Sequence, residues 1–197
     1  MSRRVTVIDA YDSFVHILVG YLEQLDCIVR IYRKDDVALY DAISQNNCDM
    51  ILLGPGPGHP AESGYETILE RNAGALPVFG VCLGHQAIGL YYGCRINYAK
   101  NLMHGKVSVI LNDGFGCFSS FQSNAFMGMR YHSLIVSDEM FPSQMTITAR
   151  SNGDNYVMGI RHKKLPIEGI QFHPESIGTE SGIDILRNFM NAYIQRR

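Results

Sequence analysis

The segment Leu76–Gly89 reads Leu-Pro-Val-Phe-Gly-Val-Cys-Leu-Gly-His-Gln-Ala-Ile-Gly and places one cysteine, Cys82, between a short apolar run and a helix-compatible stretch. Gly80 and Gly84 stand two positions either side of it. They suit a strand-to-helix turn too tight for side chains, the logic of a G-x-S-x-G nucleophile elbow with sulfur in place of oxygen. The N–H groups that open the helix direct partial positive charge at the sulfur, which favours the nucleophilic thiolate. Such a nucleophile needs a base to take and return a proton, and the base needs an orienting group. Gln171-Phe172-His173-Pro174-Glu175-Ser176 offers both, because His173 follows an apolar strand and Pro174 stiffens the corner before Glu175. The two halves of such a pair meet in space, so their separation along the chain is no objection. Cys82 or His173 alone fits a packed core equally well, but packing does not require elbow glycines together with a His-Pro-Glu corner.

Gly54-Pro55-Gly56-Pro57-Gly58 follows an apolar run ending at Leu53, where strand-to-helix phosphate loops occur. Its two prolines remove the backbone donors that a phosphate cradle needs. One or two fixed N–H groups remain at the glycines, a number that serves an oxyanion better than a diphosphate. Cys82-x-x-His85 has ligand-like spacing but no second pair, so no metal is expected. His85 follows the candidate nucleophile by only three residues and is expected to pack on the helix rather than act as the base.

The elements that must position these residues follow from hydrophobic patterning. Val5–Ile8, Ile28–Tyr32, Met50–Leu53 and Val78–Val81 read as fully buried strands. Helices are expected over Phe14–Leu25, Val37–Asn46, Tyr65–Arg71 and His85–Tyr92. That β-α alternation predicts an α/β fold with a mostly parallel, doubly wound sheet flanked by helices. After Gly93 the pattern changes to shorter β-like pieces at Lys106–Leu111, Gly128–Tyr131, Met145–Arg150, Tyr156–Arg161 and Ile167–Gln171, which predict a small antiparallel or mixed portion. A final amphipathic helix over Gly182–Ile194 places Ile183, Leu186, Phe189, Met190 and Tyr193 near one face.

The 197 residues suit one domain spanning 1–197, with no linker or repeat. Seventeen basic and nineteen acidic side chains leave a net charge of −2, which argues against a nucleic-acid partner. No stretch has the length of a membrane span or signal sequence, and five cysteines without a C-x-x-C pair suit a reducing, cytoplasmic compartment.

The motifs Gly80-Val-Cys-Leu-Gly-His-Gln86, Gly54-Pro-Gly-Pro-Gly58, Met103-His104-Gly105-Lys106, Arg130-Tyr131-His132-Ser133-Leu134 and Gln171–Ser176 together resemble the class I glutamine amidotransferases across the chain. The resemblance implies a flavodoxin-like sheet, Cys82 as the nucleophile on the glutamine side-chain amide, His173 as base and acid, and Glu175 as its orienter. It further implies an oxyanion hole from the backbone N–H groups of Gly58 and Leu83. Gly56, Gln86, Ser133 and Leu134 would hold glutamine, and no cofactor is implied. Asp9-Ala-Tyr-Asp-Ser-Phe14 and the Met-His-Gly-Lys motif are similar to the small subunits, component II, of anthranilate and aminodeoxychorismate synthases. That similarity implies a heteromer in which a chorismate-binding large subunit, component I, receives the ammonia, and glutaminase activity that stays weak until the two dock. The chain departs from the family pattern at Ala10, Val15, His16, Ile17, Gly54 and Cys94. The same residues have two alternative readings, a stand-alone γ-glutamyl thiol hydrolase and a non-catalytic, glutamine-binding regulatory subunit.

Overall fold

Short apolar runs and stretches with apolar residues every three to four positions alternate through the first half of the chain, and strands and helices alternate accordingly. The computed structural model describes residues 2–44 and 47–194. It begins β1 (Arg4–Asp9), α1 (Val15–Gln24), β2 (Ile28–Arg33), α2 (Ala38–Ser44), β3 (Met50–Leu53), α3 (Tyr65–Asn72), β4 (Val78–Val81), α4 (Leu83–Tyr91). It continues β5 (Ile96–Asn112), β6 (Ala125–Val136), β7 (Met145–Ser151), β8 (Val157–His162), β9 (Ile167–Ile170), α5 (Gly182–Tyr193). The expected end of the second helix at Asn46 lies outside the described residues. These strands form one sheet in the order β2-β1-β3-β4-β9-β8-β7-β5-β6. Pairings from β2 to β9 are parallel and those from β9 to β6 antiparallel.

Helices cover both faces of the parallel half, so consecutive strand residues are buried in opposite directions. Met50 and Leu52 of β3 join one apolar cluster with Leu18 and Leu22 of α1 and Ile185, Leu186 and Phe189 of α5. Ile51 and Leu53 join the other, with Leu39 of α2, Ile68 of α3 and Ala87 and Ile88 of α4. In α5 the inward face includes Ile185, while Ile183 and Tyr193 are only partly buried.

Two expectations need correction. The strand expected to be fully buried at Ile28–Tyr32 is the sheet's edge, with Ile28 55% and Ile31 38% exposed. Only β1 pairs with it, and its exposed Arg30 and Arg33 are the charged residues that suit an edge strand. The pieces expected at 106–111 and 128–131 are segments of β5 and β6, which run 17 and 12 residues. Much of β5 is exposed, so it needs no apolar alternation, and its Asn, Gly and Lys residues read as breaks in the sequence. No helix among the described residues is long and apolar enough to cross a membrane.

Candidate active site

Parallel strands bring their carboxyl ends to one edge of a sheet, where α/β proteins gather their functional loops. Here β1, β3, β4 and β9 deliver the 10–14 loop, the 54–58 loop, Cys82 and the 171–175 corner to that edge. The Tyr65 hydroxyl, fully buried, ties two of them by donating to the carbonyls of Ile8 (3.2 Å) and Gly54 (3.0 Å).

Cys82 joins β4 to α4 with φ 52° and ψ −98°, a backbone conformation costly for a residue with a Cβ, on the order of 1–3 kcal/mol. Its neighbours hold it there. Its N–H donates to the Ile170 carbonyl at 2.9 Å, and its own carbonyl accepts from Gln86 N–H at 3.0 Å. The flanking glycines are required by space: a Cβ on Gly80 would lie 2.5 Å from the Gly84 carbonyl carbon, and one on Gly84 2.2 Å from the Leu53 oxygen. The cysteine is 7% exposed, within reach of solvent yet surrounded by protein.

The second half of the pair hangs on β6. His173 N–H donates to the Met129 carbonyl at 2.9 Å, and the Thr179 hydroxyl donates to the His173 carbonyl at 2.6 Å while accepting from Met129 N–H at 2.9 Å. His173 Nδ1 meets Glu175 Oε1 at 2.6 Å, both side chains buried. That bond assigns the Nδ1 proton and leaves Nε2, which makes no hydrogen bond, to face chemistry. Burial pulls the imidazole pKa down, but coupling to the Cys82 sulfur and then to the Glu175 carboxylate outweighs it and holds the value well above the ordinary one. The sulfur of the elbow and the imidazole of the corner therefore lie beside one another.

Gln86 and Gln171 connect the nucleophile to β6. Gln86 Nε2 donates to the Leu134 carbonyl and to Gln171 Oε1, each at 3.0 Å, and Gln171 Nε2 reaches Cys82 Sγ at 3.6 Å. The Leu134 carbonyl also bonds His132 Nδ1 at 3.0 Å. Arg130 Nε donates to His132 Nε2 at 3.1 Å, so the Nδ1 atom carries the proton. Burial first, then the Arg130 charge, pushes the His132 pKa down to about 3 and keeps the ring neutral. Arg130, itself buried, is balanced by Asp154 at 3.0 Å.

Gly56 lies against Ala10 and Leu83, a Cβ there falling 3.0 Å from Leu83 Cδ2, so the proline-stiffened loop abuts the elbow. Gly58 has φ +90° with open space where a Cβ would lie. Leu83 opens α4, where an N–H lacks an intrahelical acceptor. Ser133 lies between His132 and Leu134 in β6. His85 is fully buried, its pKa pushed down to about 4 by burial, in keeping with a packing role. Gln171 does not stand out by residue type; its signal is its place directly after β9, two residues before His173. Burial also pushes the Cys27, Cys94 and Cys117 thiols up, Cys94 to about 11. Among the described residues no group of three His, Cys, Asp or Glu gathers as a metal site.

Comparison with known proteins agrees with this geometry. The family model described as glutamine amidotransferase class-I matches residues 6–192. The chain is 43% identical over 192 residues to the bifunctional protein TrpGD of Thermotoga maritima, covering 96% of this chain and 32%, about a third, of that longer protein. It is 44% identical to the aminodeoxychorismate/anthranilate synthase component 2 of Bacillus subtilis, covering 96% of both. A solved Thermoplasma acidophilum protein described as a GMP synthase subunit superposes with a TM-score of 0.80 at 25% identity, over 97% of this chain and 94% of that one. A cysteine elbow facing a His-Glu corner, on a sheet of this order and with a family match spanning nearly the whole sequence, makes the chain a member of the class I glutamine amidotransferase family.

Proposed function

We propose that the chain is the glutaminase subunit of a two-component, chorismate-using synthase, making ammonia from glutamine for a component I partner. The observation that carries the chemistry is the buried His173–Glu175 pair coupled to Cys82 at the elbow. In this reading the Cys82 thiolate attacks the γ-amide carbon, while the N–H groups of Gly58 and Leu83 stabilise the developing oxyanion. His173 gives a proton from Nε2 to the departing nitrogen, ammonia leaves, and a γ-glutamyl thioester remains. Water, deprotonated by His173, then releases glutamate and the thiol. Glu175 holds the imidazole in the orientation and tautomer these transfers need. Gly56, Gln86, Ser133 and Leu134 bind glutamine, with the 133–134 backbone meeting its amino-acid end.

The partner is supported by the names of the relatives, the Bacillus subtilis protein being a component 2. Ammonia released into neutral water is protonated and ceases to be a nucleophile, so transfer favours a closed path into the partner. We place 1–197 as a single amidotransferase domain working in the cytoplasm, where five free thiols remain reduced. Anthranilate and aminodeoxychorismate are both products compatible with the site. The test is Cys82→Ser in the co-purified complex: glutamine-dependent synthesis is lost and ammonia-dependent synthesis by the partner survives. Loss of both activities would make Cys82 structural.

A further inference from the structure

Two segments set apart in the sequence, Asp9–Phe14 and Met103–Lys106, take no part in the chemistry above, yet both end on the same ring. Phe14, at the start of α1, stacks on Tyr131 of β6 with centroids 6.0 Å apart and planes 20° from parallel. Gly105, at φ +68°, lies so close on the β5 side that a Cβ there would sit 3.4 Å from Tyr131 Cε1. The strand register agrees, since His104 pairs with Tyr131 across a β-bulge whose shift falls between His104 and Lys106. The Tyr131 ring also meets His173 in a T-shaped contact, at 5.3 Å and 89°. The Tyr131 carbonyl faces Cys82 Sγ at 4.0 Å. Tyr131 thus touches both members of the catalytic pair, while Tyr131 and Phe14 as residues remain 38% and 43% exposed.

The geometry points to Tyr131 as a positioning residue for His173, braced from outside by Phe14 and by the 104–106 bulge. Glu175 holds the imidazole by a hydrogen bond to Nδ1, so the tilt of the ring about that bond is set by the groups packed against it. The perpendicular contact with Tyr131 restricts the tilt and sets Nε2 toward the sulfur. Aromatic pairs favour this edge-to-face arrangement, and a small misplacement of a reacting group is costly in rate. Any contact that presses on Phe14 or on the 104–106 bulge therefore reaches the base through one ring. A docked synthase that covers these segments would tighten the catalytic pair without supplying a residue to it. This inference rests on the glutaminase reading and names the route by which that site is regulated.

The test uses the isolated full chain and a chloroketone analogue of glutamine that alkylates the nucleophile, separating its affinity from its maximal inactivation rate. Tyr131→Leu should slow maximal inactivation about tenfold, with affinity changed less than about threefold because the glutamine contacts are intact. Tyr131→Phe, which keeps the ring, should restore the rate to within about threefold. Phe14→Ala, at an exposed position that does not endanger folding, should slow it about threefold, and Phe14→Ala added to Tyr131→Leu should have no further effect. Wild-type rates in Tyr131→Leu and Phe14→Ala, or additive effects in the double variant, overturn the positioning role. A Tyr131→Phe variant as slow as Tyr131→Leu also overturns it, since the ring would then not be the cause. Failure of the wild-type chain to be labelled at Cys82 both alone and in the co-purified complex refutes the glutaminase reading itself, and the two failures are distinct.

Discussion

Acidification should destabilise this protein, chiefly through two buried histidines that lie outside the proton-transfer pair. The folded state holds His85 and His132 neutral, with pKa values of about 4 and about 3, both pressed down chiefly by burial. Unfolded, each returns to about 6.5. A depressed folded value means that the unfolded chain binds more protons, so the stabilisation is present above pH 6.5 and is lost as pH falls below it. Between pH 6.5 and 5 each histidine loses about 1.6 kcal/mol, giving about 3 kcal/mol for the two. His173 moves oppositely: its raised pKa keeps it protonated when folded throughout this window, and its small opposing change does not cancel the loss. Glu168, whose pKa burial raises, takes up a proton earlier in the folded state and softens the decline toward the lower end of the range. About 3 kcal/mol is a large part of the roughly 5–15 kcal/mol typical of a domain. Urea unfolding followed by far-UV circular dichroism suits a chain without tryptophan. It should show the free energy falling by that amount from pH 6.5 to 5, and by about half as much in His85→Gln. A pH-independent midpoint, or an undiminished fall in His85→Gln, would refute the assignment of buried neutral histidines.

Gly84→Ala places a Cβ 2.2 Å from the Leu53 oxygen at the carboxyl end of β3. It should therefore lower the melting temperature by the equivalent of at least about 1–3 kcal/mol and abolish labelling of Cys82. Gly20→Ala in α1, where no heavy atom lies within 4 Å of the added methyl, should instead be neutral or stabilising by up to about 1 kcal/mol; equal melting losses in the two variants would contradict the close-approach argument. Gln171→Leu removes both the acceptor for Gln86 and the donor to Cys82 Sγ. Glutamine hydrolysis should fall about tenfold or more in kcat/KM, and unchanged kinetics would show that this relay does not hold the nucleophile.

The chemistry was the most legible part of the sequence because it depends on local constraints. Gly80 is needed by the turn itself, since its Cβ would meet the Gly84 carbonyl, and a proline between His173 and Glu175 restricts the corner locally, although the Leu53 oxygen that excludes a side chain at Gly84 and the Met129 carbonyl that holds His173 come from other strands. The parallel half was legible for a related reason, since burial on both faces demands unbroken apolar runs such as Met50–Leu53. Exposure obscured the rest. Ile28–Arg33 has the composition of a central strand but lies at the edge, and which strand lies at the edge is decided by pairing order. The full lengths of β5 and β6 were hidden because much of β5 is exposed and the buried positions of β6 include Gly128, Arg130 and His132, so neither strand shows apolar alternation. Tyr131 and Gln171 could not be assigned from residue type alone. Their roles arise from neighbours far away in sequence, Phe14 and His173 for one and Gln86 and Cys82 for the other.

The measurement closest to the central claim is mass spectrometry of the acid-quenched protein during turnover of glutamine, with peptide mapping of all five cysteines. The account predicts a γ-glutamyl adduct on the Cys82 peptide, absent in Cys82→Ser and accumulating less in His173→Ala by about 100-fold or more in rate of formation. Glutamine turnover with the adduct on Cys27, Cys48, Cys94 or Cys117, or undiminished turnover in Cys82→Ser, would contradict it.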